Sequence, residues 1–279
     1  MSTDNQEPVH HESKRFGSQQ DLAGAFFNSF NGQSRAIKTL PEQLAEKLVE
    51  FIIGGVFQPG QRLHEVMIAE QFGVSRGPVR EALRLLEREG MVTMASRRGA
   101  TVTKLTAKIL RDIFPVRAAL MGICAADLAR RQSTRVQASL DEGTAKLFKA
   151  NEACNVREFV VLVYQLSMYI AEAAGNEIAR TILFSLGRQT LPLTRRVFED
   201  ADHRSTWANN WRDIVAGIRA GDPVAASHAA HNLLDAIESA ALTALTALDE
   251  AQSERTASTK PAKKLELFQG EDVTVEQGL

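Results

Sequence analysis

The sequence predicts a mainly α-helical protein in which a small domain with one β-hairpin precedes a larger antiparallel bundle of helices. The chain has 279 residues, a length typical of two domains. From residue 106 to residue 248, apolar side chains recur at helical spacing, interrupted mainly at Gly175-Asn176 and Gly221-Asp222-Pro223. Short connections between long helices favour antiparallel packing. Ahead of this region, two strand-like segments at 91–94 and 100–102 flank a turn, which predicts the hairpin.

These changes in pattern divide the chain into four segments. They are a flexible N-terminal arm at 1–35, a small domain at 36–104, an all-helical domain at 105–249 and a disordered tail at 250–279. The helices are predicted at 41–53, 64–71, 75–89, 106–131, 134–151, 155–174, 177–198, 204–219 and 223–248.

Composition places the chain among ordinary globular proteins. It is 44% hydrophobic and 24% charged. No apolar run approaches the ~18 residues of a transmembrane helix, and the polar N-terminus is unlike a signal peptide. We therefore expect a cytoplasmic protein with no membrane partner. Cys124 and Cys154 lie in apolar helical stretches, so both thiols are expected to be buried, reduced and structural.

The helices predicted at 64–71 and 75–89 form a helix-turn-helix. Gly73 supplies the tight turn between them, and Ser75 is expected to cap the second helix by accepting a hydrogen bond from a free backbone N–H. One face of the second helix carries the apolar residues Val79, Leu83 and Leu86, which can pack on the first. With the following hairpin as a wing, this arrangement predicts a winged helix-turn-helix.

Arginines give this unit a basic surface. Arg76, Arg80 and Arg84 follow one another at a spacing of four, and Arg97 and Arg98 fall in the hairpin turn. The segment 61–104 holds eight basic and five acidic residues, a net charge of +3, whereas the whole chain has a net charge of −1. An arginine-bearing helix N-terminus suits the major groove of DNA. A solvated charged face is the competing interpretation, and the combination of turn, cap, arginines and basic wing disfavours it.

The stretch from Gly60 to Gly90, centred on Gly73-Val74-Ser75-Arg76-Gly77-Pro78-Val79-Arg80, closely resembles the GntR family of bacterial repressors. The helical region, through Phe114-Pro115-Val116-Arg117 and Ala174-Gly175-Asn176, is similar to the all-helical effector (FCD) domain of its FadR branch. The resemblance implies that Ser75, Arg76 and Arg80 contact the operator and that Arg97 enters the minor groove. Val66 stands where some FadR-type members carry another DNA-contacting arginine. The predicted DNA-binding residues are Ser75, Arg76, Gly77, Arg80, Arg84, Arg97 and Arg98.

Many members of this branch hold a divalent metal through one Asp and three His. The family spacing places these four ligands at Val163, Ser167, Trp211 and Leu233, which lack imidazole and carboxylate donors. We therefore expect neither the family metal nor any other cofactor. A helix carries His228 and His231 three residues apart, and both are interpreted as surface or packing residues.

An apolar pocket is expected in place of the metal, although a plain hydrophobic core has the same pattern. Arg117 is the predicted anchor of a ligand carboxylate, and Arg188 is a second candidate. The predicted ligand is an aromatic or acyl carboxylate, or a thioester. The predicted ligand-binding residues are Arg117, Val163, Ser167, Trp211, Leu233 and Arg188.

The resemblance implies a homodimeric repressor on palindromic double-stranded DNA, with a small-molecule effector as its second partner. Two alternatives stay open at this point. One is an enzyme fused to a DNA-binding module, although the sequence has no phosphate-binding loop and no nucleophile–histidine arrangement. The other is a DNA-binding protein whose helical domain only dimerises and binds no effector.

Overall fold

A computed structural model describes residues 38–95 and 99–258, with side chains as far as Ala251. The predicted arm at 1–35, the wing residues Arg97 and Arg98, and residues 259–279 of the predicted tail lie outside the described residues.

The small domain contains three helices and three short strands, as a winged helix-turn-helix requires. They are α1 (Leu40–Ile53), β1 (Arg62–Leu63), α2 (Glu65–Gln71), α3 (Arg76–Arg88), β2 (Val92–Ala95) and β3 (Gly99–Val102). The predicted helix-turn-helix and hairpin are confirmed.

The wing has one strand more than the hairpin that we predicted, and forms an antiparallel sheet of three strands. Its order is β1–β3–β2, with Arg62 opposite Thr101 on one side of β3 and Val92 opposite Val102 on the other. A two-residue strand shows no alternation of polar and apolar residues along the sequence. It becomes a strand only by pairing with β3, a tertiary contact that periodicity does not reveal.

The second domain is a bundle of six helices joined by short connections. They are α4 (Ala107–Arg131), α5 (Thr134–Glu152), α6 (Val156–Ala173), α7 (Glu177–Val197), α8 (Ala201–Ala220) and α9 (Pro223–Ser258). The helices from α4 to α8 each begin at a residue whose side chain accepts a hydrogen bond from the first turn, which fixes where they start. These capping residues are Thr106, Ser133, Asn155, Asn176 and Asp200.

Two helix boundaries differ from the sequence-based expectation. The Asp200 cap starts α8 at Ala201, ahead of the predicted start at 204. The last helix continues to Ser258, beyond its predicted end at 248 and into the segment that we expected to be disordered. Residues 249–258 are polar but include good helix formers, and a helix already packed through its earlier turns extends more easily than a new one begins.

α4 lies at the centre of the bundle, with Phe114, Met121 and Cys124 fully buried. α9 packs along it so closely that a Cβ atom at Gly122 would lie 2.7 Å from Ser227 Oγ. Burial raises the pKa of the Cys124 thiol to about 11, as expected for a structural cysteine. Cys154 does not follow the prediction. It is exposed, and with a φ of 51° it lies in the turn between α5 and α6.

The two domains meet where α7 approaches the small domain. Arg195 Nη1 donates to the carbonyl of Ile53 at 3.5 Å, and the side chain of Gln189 lies over Gly90. Within 38–95 and 99–258, no helix is both long enough and apolar enough to cross a membrane.

Candidate nucleic-acid interface and effector site

α3 is fixed from behind by the small-domain core. Gly73 adopts a φ of 63°, which suits glycine and lets the chain turn sharply between α2 and α3. Val79, Leu83 and Leu86 are fully buried, as the apolar spacing predicted. The opposite face of α3 is therefore held rigidly towards solvent.

The expected cap at Ser75 is wrong in one respect. Ser75 occupies the N-cap position with extended backbone (φ −74°, ψ 165°), but its hydroxyl makes no capping hydrogen bond. The residue type at an N-cap predicts the backbone conformation there more reliably than it predicts the rotamer of the side chain. The first-turn N–H groups that Ser75 would have satisfied are therefore open to an external acceptor such as a phosphate.

The three arginines of α3 are exposed on one face, and an acidic residue from α2 orients two of them. The side chains of Arg76, Arg80 and Arg84 are 61%, 49% and 57% exposed. Glu65 Oε2 accepts hydrogen bonds from Arg80 Nη2 at 2.9 Å and from Arg76 Nη2 at 3.4 Å. The Arg80 hydrogen bond is the main cause that holds the pKa of Glu65 below its usual range.

Arg84 pairs with Glu81 of its own helix at 2.7 Å. Glu65 could not be identified from the sequence, because it lies 11 and 15 residues from its partners, beyond any helical spacing. These ion pairs are exposed, so each stabilises the fold little. Their effect is to hold the guanidinium groups in place on the face of α3.

The surroundings of α3 are open and partly basic. A Cβ at Gly77 would meet no atom within 4 Å, and Val66, on α2, is 46% exposed. Arg62 lies at the edge of the wing, with its Nε 3.8 Å from the Cβ position of Gly99. Arg62 is a candidate DNA contact that sequence reasoning did not include, since its place beside the wing depends on the β1–β3 pairing.

Gly77→Ala is expected to separate folding from DNA binding. The new methyl group meets no atom of the protein, and replacing a helical glycine by alanine favours the helix by up to about 1 kcal/mol. We therefore expect unchanged or slightly higher thermal stability but weaker DNA binding, since a phosphate cannot come as close to the first turn of α3. Thermal unfolding and a mobility-shift titration measure the two effects. Unchanged DNA affinity would exclude a close backbone approach at Gly77.

All six predicted ligand-binding residues are buried in the helical domain. Trp211 is 0% and Leu233 is 1% exposed, and the other four, Arg117, Val163, Ser167 and Arg188, are at most 9% exposed. One cleft of the helical domain lies elsewhere. It is lined by Val197, His203, Thr206, Trp207, Ala236, Ile237 and Ala240, and by none of the six.

Arg117 is a buried cation without a carboxylate partner among the described residues. Its Nη1 donates to Thr190 Oγ1 at 3.0 Å, and its guanidinium lies 5.3 Å from the centre of the Phe114 ring. Its Nε is buried and makes no hydrogen bond within the described part of the chain. Desolvation lowers the pKa of Arg117 to about 10, so the group remains charged at neutral pH. A buried charge in this state favours an anion.

Trp211 contributes a second buried donor. Its Nε1 makes no hydrogen bond to any described residue. Ser167 Oγ, by contrast, donates to the carbonyl of Val163 at 2.9 Å and is satisfied within its own helix. Arg117 Nε and Trp211 Nε1 are thus two buried donors without acceptors among the described residues. A ligand that carries oxygen atoms would supply hydrogen-bond acceptors for them.

The two histidines of α9 lie in different surroundings. His228 is exposed, and His231 Nδ1 lies 2.8 Å from the carbonyl of Ser227 in the contact with α4. Across residues 38–95 and 99–258, no three His, Cys, Asp or Glu side chains are arranged to hold a metal ion.

The fold and the exposed arginine face define a winged helix-turn-helix protein with a second, all-helical domain. Residues 40–102 match the family model of bacterial regulatory proteins of the gntR family, and residues 112–236 match the FCD domain. The chain belongs to the GntR family of transcriptional regulators and carries an FCD domain. Its domains and relatives are those of transcriptional regulators, not of enzymes.

Relatives match either the small domain alone or most of the chain. "Uncharacterized HTH-type transcriptional regulator YdhC" of Bacillus subtilis is 44% identical over 75 residues, 27% of this chain and 34% of that protein. The chain therefore spans about a third of that relative's length. "Probable D-xylose utilization operon transcriptional repressor" of Paenarthrobacter nicotinovorans is 28% identical over 194 residues, 68% of this chain and 84% of that protein. The structure of Escherichia coli McbR/YncC has the same fold, with a TM-score of 0.60, 21% identity and coverage of 79% and 100% of the two chains.

Proposed function

We propose that this chain is a cytoplasmic, sequence-specific repressor that places α3 in the major groove of its operator. The observation that carries this proposal is the exposed row of Arg76, Arg80 and Arg84, two of which are oriented by Glu65. Arginine in this setting donates two hydrogen bonds to the major-groove edge of guanine. Ser75, Gly77, Arg97 and Arg98 complete the proposed contact surface. The relative from Paenarthrobacter nicotinovorans is itself named as a repressor.

We further propose that the chain acts as a homodimer. Each protomer is proposed to consist of the small domain at 36–104 and the helical domain at 105–249. Two recognition helices about 34 Å apart match the half-sites of a palindromic operator. Ligand and DNA then influence one another reciprocally, because an effector that favours one arrangement of the helices changes the operator affinity.

An organic carboxylate is the effector class that the helical domain supports best. Arg117 offers a desolvated cation with an unused Nε, and Trp211 offers an indole N–H. The apolar side chains of Val163 and Leu233 suit an acyl or aromatic body rather than a metal-chelating acid. We propose that this site works without the family metal, with Arg188 as a second cation and Ser167 as a polar neighbour.

A helical domain that only dimerises is the second candidate function. The observation that favours it is that all six proposed ligand-binding residues are buried, as in a plain hydrophobic core. Under this alternative, carboxylates would neither bind the helical domain nor alter the DNA affinity.

Arg117→Met tests the effector site. Methionine fills the space without charge, so the variant is expected to keep its operator affinity but lose thermal stabilisation by benzoate and hexanoate. Arg130→Met, an exposed change on the same helix, is the matched control and should respond like the original chain. Mobility shifts with and without each acid report the effect on DNA. If neither acid stabilises the original chain or changes its DNA affinity, the dimerising alternative is favoured.

A further inference from the structure

Three consecutive residues of α7 connect the proposed effector anchor with the recognition helix. Thr190 accepts the hydrogen bond from Arg117 Nη1 at 3.0 Å. Arg188 Nη1 lies 3.0 Å from Glu89 Oε2, and Glu89 is the C-cap residue of α3. The Gln189 side chain lies over Gly90, whose φ of 71° terminates α3. One helical turn of α7 therefore contacts the anchor on one side and the end of α3 on the other.

The Arg188–Glu89 pair joins the two domains at a buried position. The side chain of Arg188 is 5% exposed, and Glu89 Oε2 is itself buried although the whole Glu89 side chain is 32% exposed. Desolvation raises the pKa of Glu89, and the neighbouring Arg188 counteracts this effect. Breaking such a pair leaves an uncompensated buried charge, so its geometry is sensitive to small movements of α7.

Tyr164 packs the same turn of α7 from the side of α6. Its hydroxyl donates to the carbonyl of Phe184 at 2.9 Å, and its ring lies 2.8 Å from the Cβ position of Gly187. Burial raises the pKa of Tyr164 well above its usual range, so the hydroxyl stays neutral. Two kinds of contact therefore position α7. Gly187 packs against the Tyr164 ring, and Thr190 and Arg188 make polar contacts with Arg117 and Glu89.

We propose that α7 transmits effector binding to the recognition helix: a carboxylate that draws Arg117 away from Thr190 shifts α7 and loosens the Arg188–Glu89 contact at the end of α3. This inference rests on the proposed function, since it assigns Arg117 to the effector. Thr190 and Glu89 are positioning residues in this scheme, because they touch neither DNA nor the bound acid. Arg188, the second cation of the proposed effector site, takes part through its contact with Glu89.

Thr190→Val tests the transmission without any ligand or DNA, because it removes the Arg117 contact as the effector would. The measurement is amide hydrogen exchange of the full chain at Glu89, Gly90 and Met91, whose N–H groups donate to Leu85, Glu87 and Leu86. We expect exchange at these amides to accelerate about tenfold, as for loss of one buried hydrogen bond that couples to local opening. In a Glu89→Ala background the same substitution should change them no further, since the Arg188–Glu89 contact is already absent.

Thr181→Val is the matched control, because Thr181 lies on α7, donates to the carbonyl of Glu177 at 2.8 Å and is exposed. It should leave the end of α3 unchanged. Faster exchange confined to α7 in Thr190→Val, or an equal acceleration with and without Glu89, would overturn the proposal. Either result leaves the DNA-binding role intact, whereas loss of that role is detected separately by DNA titration of Arg76→Ala.

Discussion

Arg80→Ala is expected to lower operator affinity about 10- to 100-fold, since a bidentate arginine–guanine contact is worth about 1–3 kcal/mol. The loss of operator affinity should exceed that caused by removing the Arg80–guanine contact alone. In the folded chain Arg80 neutralises Glu65 through hydrogen bonds of 3.3 Å and 2.9 Å. Removing Arg80 leaves this carboxylate facing the phosphates with only the longer contact from Arg76. Mobility-shift titration at fixed salt measures the change, because phosphate contacts make the affinity depend on salt.

Two comparison variants make the Arg80 result specific. Arg180→Ala removes the same charge from an exposed position on α7, outside the proposed interface, and should have little effect. The double variant Arg80→Ala, Glu65→Gln should recover part of the loss, since it removes the exposed carboxylate. If Arg80→Ala and Arg180→Ala weaken binding equally, the role of α3 as the recognition helix is wrong.

The helix-turn-helix could be predicted because its signals are local. Gly73 supplies a positive φ at the turn, and the apolar and basic residues of α3 repeat at helical spacing. The capping hydrogen bond predicted for Ser75 is absent, because such a bond depends on the side-chain rotamer as well as on residue type. β1 was missed because its two residues become a strand only beside β3.

The candidate sites show the same division between local and long-range information. The sequence indicated that the arginines of α3 share a face, but not that Glu65 orients them across the turn. It indicated Arg117 and Arg188 as ligand-binding residues of the helical domain, but not their contacts with Thr190 and Glu89. The partner of Arg188 is Glu89, almost a hundred residues earlier and in the other domain. Such contacts are set by how α7 packs on the small domain, which no periodic pattern encodes.

Gly217→Ala is expected to destabilise the helical domain strongly. A Cβ at this position on α8 would lie 2.7 Å from Ala226 N and 2.8 Å from Ala226 Cα, which are backbone atoms of α9. Neither atom can rotate away, so the two helices must separate. Overpacking of this kind costs about 1–3 kcal/mol, occasionally more, which exceeds the helix propensity gained by alanine, up to about 1 kcal/mol.

Thermal unfolding of Gly217→Ala should show a Tm lower by several degrees, because each kcal/mol shifts the Tm of a chain of this size by about 2–4 °C. Gly143→Ala is the matched control. There the new Cβ would lie 2.6 Å from Leu166 Cδ2, the end of a flexible side chain that can adopt another rotamer. Gly143→Ala is therefore expected to lower the Tm less than Gly217→Ala does. An equal loss of Tm in the two variants would mean that the backbone contact between α8 and α9 is not the reason for glycine at position 217.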